Sequence, residues 1–365
     1  MVKRLIGLVI AIAVIGAIVA VQYMGDSDLL KEVEKPDDIV VKGYVGGEKM
    51  AFFANPEVIA LLDKKYGITI DAHKKGSVVM AKDTSLHTGI DFLWPSNFVC
   101  VEWFTQAGGH SKGADVVFNS PIVIYTPDKV ADFLVQQGIA KRINKAYYIV
   151  DFPRLVQLAI NGTKWNEIGL SEINGTVKIF STDPHYSNSG NIFYGLLANI
   201  LNNSEVVSQN TIAAILPQVK SYYERMGFQQ KSSGDVFDVF ISNRYTNPLL
   251  VGYENQLIEY AINNSDDYTI KFLKEKIRTL YPQPTVWSSH PMIALNEHGL
   301  WLMEALKDQQ IQTIAWEQHG FRSSVKGVPN DPNKHQVSGL PEEITSIIQM
   351  PSAATMDMIL AALAK

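Results

Sequence analysis

The sequence has almost no cysteine: Cys100 is the only one among 365 residues. No intramolecular disulfide can form, so the fold must be stabilised by its hydrophobic core. Cys100 lies in an apolar stretch, residues 98–101, which predicts a small buried side chain and not a nucleophile.

The chain also lacks an excess of charge of one sign. Its formal net charge is −5, and it has no long acidic, basic or low-complexity block. A nucleic-acid-binding protein needs a basic face that displaces counterions from phosphates, and no such face is visible. Nucleic acid is therefore not an expected partner. An internal repeat of fixed period is absent as well.

The residues that usually mark a catalytic or metal centre show no matching pattern. None of the eight histidines is paired at helical spacing around a carboxylate, so a zinc hydrolase is unsupported. Of the histidines, His185 is the one that we keep as a candidate ligand contact. Spacing does not place any two carboxylates at catalytic distance. We therefore predict no catalytic residue, no metal and no cofactor, and expect Glu254 to brace a helix.

The first 24 residues form a targeting segment, followed by a polar linker, residues 25–37. Lys3 and Arg4 precede an apolar run, residues 5–21, which as a helix spans about 25 Å at about 1.5 Å per residue. That is short for a membrane span and long for a signal peptide. Ile18 fits a cleavage site poorly, which favours an uncleaved anchor, although cleavage stays open. The positive flank places the rest of the chain outside the cytoplasm.

Residues 179–193 have the pattern of a binding site. Residues 176–180 alternate β-branched and apolar side chains, which predicts a buried strand, and Asp183-Pro184 ends it. From Ile192 onward, apolar residues recur at helical spacing. The first backbone N–H groups of that helix have no partner within it and lie at the positive end of its dipole, so they favour an anion or a carbonyl oxygen. The same residues are typical of an ordinary helix cap, and both interpretations stay open.

The first third of the chain alternates strands, small-residue loops and helices. Ile39–Val45 is predicted as a strand, Gly46-Gly47 as a loop, and Asn55-Pro56 as the start of a helix that ends near Gly67. This order predicts an open parallel α/β sheet. Ligands bind beyond the carboxyl ends of the strands in such sheets, where the loops at 46–49, 76–77 and 94–97 hold the polar groups.

Three runs carry a resemblance to a known family. Residues 119–125 (Asn-Ser-Pro-Ile-Val-Ile-Tyr) are similar to a first crossing between lobes, and residues 248–256 to a return crossing. Residues 280–284 with 289–292 are similar to a late strand of lobe one. In this order, residues 38–345 resemble the type II solute-binding proteins of ABC transporters, the class that includes binders of molybdate, sulfate and phosphate.

The resemblance implies an α/β fold of two lobes, each an open mixed sheet flanked by helices. Lobe one would comprise residues 38–121 and 249–345, lobe two residues 122–248, and residues 346–365 a C-terminal helix. The ligand would lie in the cleft between the lobes, and binding would close it. The candidate ligand-binding residues are Gly47, Lys49, Ser77, Trp94, Ser96, Thr182, Asp183, Ser187, Asn188, Ser189, Gly190, Asn191 and Tyr253.

Two of these candidates have alternative interpretations. Lys49 either brings a positive charge to the cleft or is a solvated surface lysine. Asp183 would repel a dianion if it faced inward, so it can instead orient the loop, accept a protonated ligand group or bind a backbone amide. Trp94 and Tyr253 can stack on an organic ligand.

The resemblance implies a binding function without a catalysed reaction. We expect an extracytoplasmic protein, anchored in the membrane by its N-terminal helix or secreted, that binds a small, anionic solute such as an oxyanion and delivers it to an ABC permease. One alternative is the ligand-sensing ectodomain of a membrane signalling system. A further alternative is an exported hydrolase, which turnover of a bound compound would reveal.

Overall fold

The computed structural model describes residues 38–144 and 146–364. The predicted targeting segment, 1–24, and the linker, 25–37, lie outside these residues. In the part of the chain that the structure describes, no helix is both long and apolar enough to cross a membrane.

The described residues alternate strands and helices along most of the chain. The strands are β1 (Ile39–Val45), β2 (Ile68–Lys74), β3 (Phe92–Trp94), β4 (Gly113–Pro127), β5 (Ala140–Arg142), β6 (Tyr148–Asp151), β7 (Leu250–Tyr253), β8 (Ile277–Gln283), β9 (Trp287–Ala294) and β10 (Arg322–Ser323). The α-helices are α1 (Met50–Phe53), α2 (Pro56–Tyr66), α3 (Ser77–Lys82), α4 (Val99–Gln106), α5 (Asp128–Gln136), α6 (Phe152–Ile160), α7 (Asn188–Leu201), α8 (Ile212–Met226), α9 (Ser233–Ser242), α10 (Glu254–Asn263), α11 (Asp267–Lys276), α12 (Glu297–Ala305), α13 (Gln309–His319) and α14 (Ala353–Leu363).

Two sheet halves share the long strand β4. The strands run in the order β2-β1-β3-β9-β4-β8-β6-β5, and β10 and β7 pair with β4 off this path. The first part of β4, up to Pro121, pairs with β9 and β10, whereas its second part, from Ile122, pairs with β7 and β8. We call these the first half and the second half. The chain thus passes from one half of the sheet to the other within the run 119–125.

The predicted return crossing is wrong. Residues 248–256 contain β7, which lies beside the second part of β4, and β8 lies on the other side of that same part. The chain therefore stays in the second half until the end of β8 and returns to the first half in β9, which pairs with β3 and β4. The sequence pattern of a segment does not by itself fix the strand with which the segment pairs.

The strand predicted over residues 176–180 also does not form a continuous ladder of hydrogen bonds. Only Phe180 pairs with β7: its N–H donates to the carbonyl of Leu249 (2.8 Å), and its carbonyl accepts from Val251 (2.8 Å). A second isolated bridge joins Thr176 to Lys164. This segment is extended, is held at its two ends by these two bridges, and leads to the start of α7.

Parallel pairing brings the predicted loops to one edge of the first half. Val45, the last residue of β1, pairs with Lys74 of β2 and Trp94 of β3, and both pairings are parallel. The loops that follow these strands therefore begin at the same level, as expected for the carboxyl edge of a parallel sheet. Helix α2 is positioned by the predicted cap, because the Asn55 side chain accepts from the N–H groups of Glu57 and Val58.

Helix α14 packs against both halves. It contacts α4 of the first half and α7 and α8 of the second. Asp357 accepts hydrogen bonds from Trp103 Nε1 (3.0 Å) and Lys82 Nζ (2.5 Å), and the carbonyl of Leu360 lies 3.0 Å from His185 Nε2. The largest cluster of buried apolar residues accordingly joins side chains of the first half, the second half and α14.

A buried ion pair ties α10 to β10. Arg322 donates from Nε to Glu254 Oε2 (2.6 Å) and from Nη2 to Glu254 Oε1 (2.9 Å), and Tyr281 donates to the same carboxylate (2.6 Å). The side chains of Arg322 and Glu254 are 4% and 0% exposed. Glu254 thus braces its helix, as expected, but through an arginine far along the chain.

Removing one partner of this pair should strongly destabilise the protein. We expect Arg322→Met to lower the free energy of unfolding by about 3–5 kcal/mol, because an uncompensated carboxylate stays buried. Urea denaturation measures this change. Lys307→Met is the control, since Lys307 pairs with Asp115 (2.8 Å) at the surface, where an ion pair contributes about 1 kcal/mol or less. Equal small losses in both variants would contradict the account.

Candidate functional site

A cavity of about 510 Å³ lies where loops of the first half face α7, β7, α10 and the segment that leads into α9. Its lining residues are mainly polar and carry charges of both signs. The lining residues are Gly46, Gly47, Glu48, Lys74, Lys75, Gly76, Ser77, Tyr186, Ser187, Asn188, Lys231, Ser232, Ser233, Gly234, Asp235, Asp238, Tyr253, Gln256 and Glu259. A space of this size accommodates a small molecule.

The loop after β1 places a carboxylate at the wall of the cavity and an ammonium behind it. Residues Gly47–Lys49 form one turn of 3-10 helix. Glu48 points to the cavity and its side chain is 20% exposed, whereas the side chain of Lys49 is 0% exposed. Gly46 makes this possible, since a Cβ on it would lie 2.5 Å from Glu48 Oε1.

Lys49 is the centre of a buried polar cluster. Its Nζ donates to Glu48 Oε1 (2.5 Å) and to Ser96 Oγ (2.8 Å), and it lies 3.1 Å from His290 Nδ1. Ser96 Oγ also donates to Glu48 Oε1. The Nζ atom lies 5.6 Å from the centre of the Trp94 ring. The lysine is thus held by groups from β1, β3 and β9, which fixes its position.

The charges of this cluster follow from burial and proximity. Burial by itself raises the pKa of Glu48, but the Lys49 ammonium and the hydrogen bonds from Lys49 and Ser96 outweigh it and lower the pKa to about 2. Burial lowers the pKa of Lys49, and Glu48 opposes that effect. Burial, reinforced by the charge of Lys49, lowers the pKa of His290 well below its ordinary value. His290 is therefore neutral and accepts from Lys49 through Nδ1.

The opposite wall is the N-terminus of α7. In the described part of the chain, the backbone N–H groups of Asn188 and Ser189 have no hydrogen-bond acceptor. Behind them, the hydroxyl groups of Ser187, Ser189 and Thr182 form a chain with oxygen distances of 3.1 and 2.7 Å. Thr182 Oγ1 also accepts from the N–H of Gly190 (2.8 Å). Two free donors therefore lie at the positive end of the helix, beside the cavity.

Asn188 joins the two walls. Its Nδ2 donates to the carbonyl of Ser96 (3.0 Å) and to the hydroxyl of Tyr253 (3.1 Å). Deeper in the same seam, Asn97 Nδ2 donates to Asn191 Oδ1 (3.2 Å). Burial raises the pKa of Tyr253, and the nearby Glu48 carboxylate adds to this effect. The tyrosine thus stays protonated. Both walls are held together by a few neutral hydrogen bonds.

The structure brings together some of the predicted site residues and excludes others. Gly47, Ser77, Ser187, Asn188 and Tyr253 line the cavity. The others lie behind the lining: Lys49, Trp94, Ser96, Thr182, Ser189, Gly190 and Asn191 are buried. Lys49 is not a solvated surface lysine. Trp94 packs edge-on against Phe52, 6.1 Å between ring centres, so it cannot stack on a ligand.

Asp183 and His185 form a turn beside the site. Asp183 Oδ1 accepts from the N–H of His185 (3.0 Å) and lies 2.9 Å from His185 Nδ1. The His185 ring then reaches the carbonyl of Leu360 in α14. Neither residue lines the cavity. Of the roles considered for Asp183, the structure shows the hydrogen bond to a backbone amide, that of His185, which orients the loop.

Several lining residues were missed by the sequence analysis. They are chiefly charged: Glu48, Lys74, Lys75, Lys231, Asp235, Asp238 and Glu259. A signal for the first three exists, since each lies directly beside a predicted small-residue loop at a strand end. Lys231 lies 3.9 Å from the centre of the Tyr186 ring, and no local pattern predicts that contact. Across the described residues, no group of three or more His, Cys, Asp and Glu side chains could hold a metal ion.

Comparison with known proteins identifies the fold. No protein-family model and no curated protein matches the chain in sequence. Iron-bound HitA from Pseudomonas aeruginosa matches in structure with a TM-score of 0.59 at 11% identity, over 90% of this chain and 100% of that one. The sulfate-binding protein SubI from Mycobacterium tuberculosis matches with 0.52 at 15% identity, over 88% and 96%. A two-component system protein described as mediating signal transduction matches with 0.53 at 13% identity, over 88% and 100%.

The identities are low, so the shared property is the fold. The chain has the fold of the type II periplasmic solute-binding proteins. The α/β class and the mixed sheet flanked by helices are thereby confirmed. The predicted N-terminal apolar helix lies outside the described residues.

The Glu48–Lys49 pair should make stability depend on pH. The pKa of Glu48 is 4.5 in the unfolded reference and about 2 in the folded protein, so ionised Glu48 stabilises the fold above about pH 4.5 and this stabilisation is lost as the pH falls towards 2. We expect the difference in free energy of unfolding between the wild type and Glu48→Gln to be constant near neutral pH and to shrink below about pH 4.5. Urea denaturation over this range measures it. A difference that persists unchanged to about pH 3 would refute the assignment.

Proposed function

We propose that the protein binds a small, anionic solute outside the cytoplasm, in the cavity between its two halves, and delivers it to an ABC permease. The observation that carries this proposal is the cavity of about 510 Å³ between loops of the first half and the free N–H groups of α7. Helix N-termini favour anions, and the solute would contact both walls at once.

The two halves act as lobes in this proposal. Strand pairing suggests residues 38–121 and 285–345 for lobe one and residues 122–283 for lobe two. Asn188 is the residue that responds to closure, because its side chain donates across the seam to the carbonyl of Ser96 in lobe one. A solute that contacts both lobes favours the closed form by its higher affinity for that form.

The charges and dipoles around the cavity give partial support to an anionic solute. The cavity wall holds Lys74, Lys75 and Lys231 against four carboxylates, so charge count alone does not decide. The free backbone donors at the start of α7 favour a negative group at the inner end of the cavity. Among the neighbours in structure, SubI binds sulfate and HitA was solved with iron. The predicted N-terminal anchor would hold the protein at the outer face of the membrane.

The test is calorimetry with a panel of oxyanions, amino acids and sugars on the wild type and on Asn188→Ala. We expect one compound class to bind, and Asn188→Ala to weaken its binding about fivefold, because one hydrogen bond of about 1 kcal/mol across the seam no longer favours the closed form. Asn202→Ala, at the other end of α7, is the matched control and should bind as the wild type does.

Two results would contradict the proposal. One is a wild type that binds no member of the panel. The other is an Asn188→Ala variant that melts earlier than the wild type but keeps full affinity, since the α7 N-terminus would then be only a helix cap.

A sensor ectodomain is a second candidate, because a two-component signalling protein shares the fold over 88% of this chain. Binding and closure are common to both functions, so calorimetry does not separate them. Reconstitution does: stimulation of transport by the loaded protein supports delivery, whereas stimulation of a sensor kinase supports signalling.

A further inference from the structure

The carboxylate of Glu48 lies where an anion would be expected. It accepts from the buried ammonium of Lys49 (2.5 Å) and from the hydroxyl of Ser96. Glu48 lines the cavity, whereas Lys49 lies behind it and is 0% exposed. The carboxylate therefore separates the positive charge of Lys49 from the cavity.

In this arrangement the site requires a negatively charged group beside Lys49. A buried ammonium without a partner is strongly unfavourable, so Lys49 keeps its charge only while a negative group compensates it. Within the described residues, the only carboxylate in contact with Lys49 is that of Glu48. If Glu48 swings into the cavity, another negative group has to take its position.

Gly46 provides an independent observation. Its backbone has φ −60° and ψ 147°, a conformation open to any residue, so backbone geometry does not require glycine here. A Cβ at this position would instead meet Glu48 Oε1 at 2.5 Å, Glu48 Oε2 at 2.7 Å and Ser96 Oγ at 2.8 Å. The absence of a side chain at Gly46 thus leaves the space that the folded-back carboxylate of Glu48 occupies.

We propose that Glu48 is a built-in competitor: its carboxylate occupies the subsite for the anionic group of the solute, and the solute displaces it on binding. This inference rests on the proposed function, and it sets the specificity of that site. Only an anion that satisfies Lys49 and Ser96 as well as Glu48 does can bind, so neutral and cationic compounds are rejected. Displacement of Glu48 lowers the affinity for every anion and leaves selectivity to the remaining contacts.

Two variants test the inference from different directions. Glu48→Ala removes the competitor and leaves Lys49 in need of an anion. Gly46→Ala keeps every charge but crowds the carboxylate out of its position. The matched control is Asp308→Ala, which also removes a carboxylate from a lysine, but its partner Lys65 is 52% exposed and needs no replacement.

The measurement is thermal denaturation with acetate, sulfate or phosphate as probes at constant ionic strength, with calorimetry for the affinities. We expect Glu48→Ala to melt below the wild type without a probe and to recover saturably as the probe is added. Its half-saturation concentration should be at least about tenfold lower than that of the wild type, and Gly46→Ala should shift in the same direction. Asp308→Ala should respond as the wild type does.

The inference is overturned if neither Glu48→Ala nor Gly46→Ala gains affinity for any probe. It is equally overturned if the variants lose affinity for a compound that the wild type binds, because Glu48 would then be a direct contact. Should Glu48→Ala fold poorly, Glu48→Gln and Gly46→Ala decide by the same criterion.

The results separate this inference from the proposed function. If the variants gain no anion affinity while the wild type binds a solute and closes, the inference about Glu48 is rejected and the proposed function stands. If the variants bind the probes tightly while the wild type binds no member of the solute panel, the role of Glu48 as a competitor is supported and the proposed function is rejected.

Discussion

The burial of a positive charge at Lys49 is the constraint on which the candidate site depends. A lysine that is 0% exposed needs a partner, and the loops after β1 and β3 supply one carboxylate and one hydroxyl, while strand β9 supplies one neutral imidazole. These groups come from the ends of different strands, so the strands must lie in fixed register. The floor of the cavity is therefore rigid, while its other wall, the start of α7, is joined to it by a few neutral hydrogen bonds.

The architecture explains how a rigid floor and a separable wall coexist. Strand β4 is continuous through both halves and is the element that both sheets share. Helix α14 packs against both halves and does not line the cavity, and the seam at the cavity includes the hydrogen bonds of Asn188 to Ser96 and of Asn97 to Asn191. Each of these neutral hydrogen bonds contributes about 1 kcal/mol, so opening the seam at the cavity breaks contacts of modest strength.

Local sequence signals predicted the parts of the site that depend on local structure. The cap at Asn55, the left-handed Gly67 with φ 64° and the loops at the carboxyl ends of β1, β2 and β3 follow from residue type and spacing. The burial of Lys49 did not follow, because lysine is rarely buried and its partners Ser96 and His290 are 47 and 241 positions away in sequence. The return crossing was misplaced for the same reason: strand partners are non-local. Serine and asparagine at the start of α7 marked a helix N-terminus correctly, but which of them faces the cavity depends on packing.

The most direct test of the account is the distance between the two halves with and without a bound solute. Cysteines at Val40 and Phe228, 51% and 87% exposed on the first and second half, accept spin labels, whereas burial raises the pKa of the native Cys100 thiol to about 12 and protects it from labelling. The account predicts that a solute shown by calorimetry to bind shifts the distances to one shorter, narrower population. An unchanged distribution in the presence of that bound solute would contradict it.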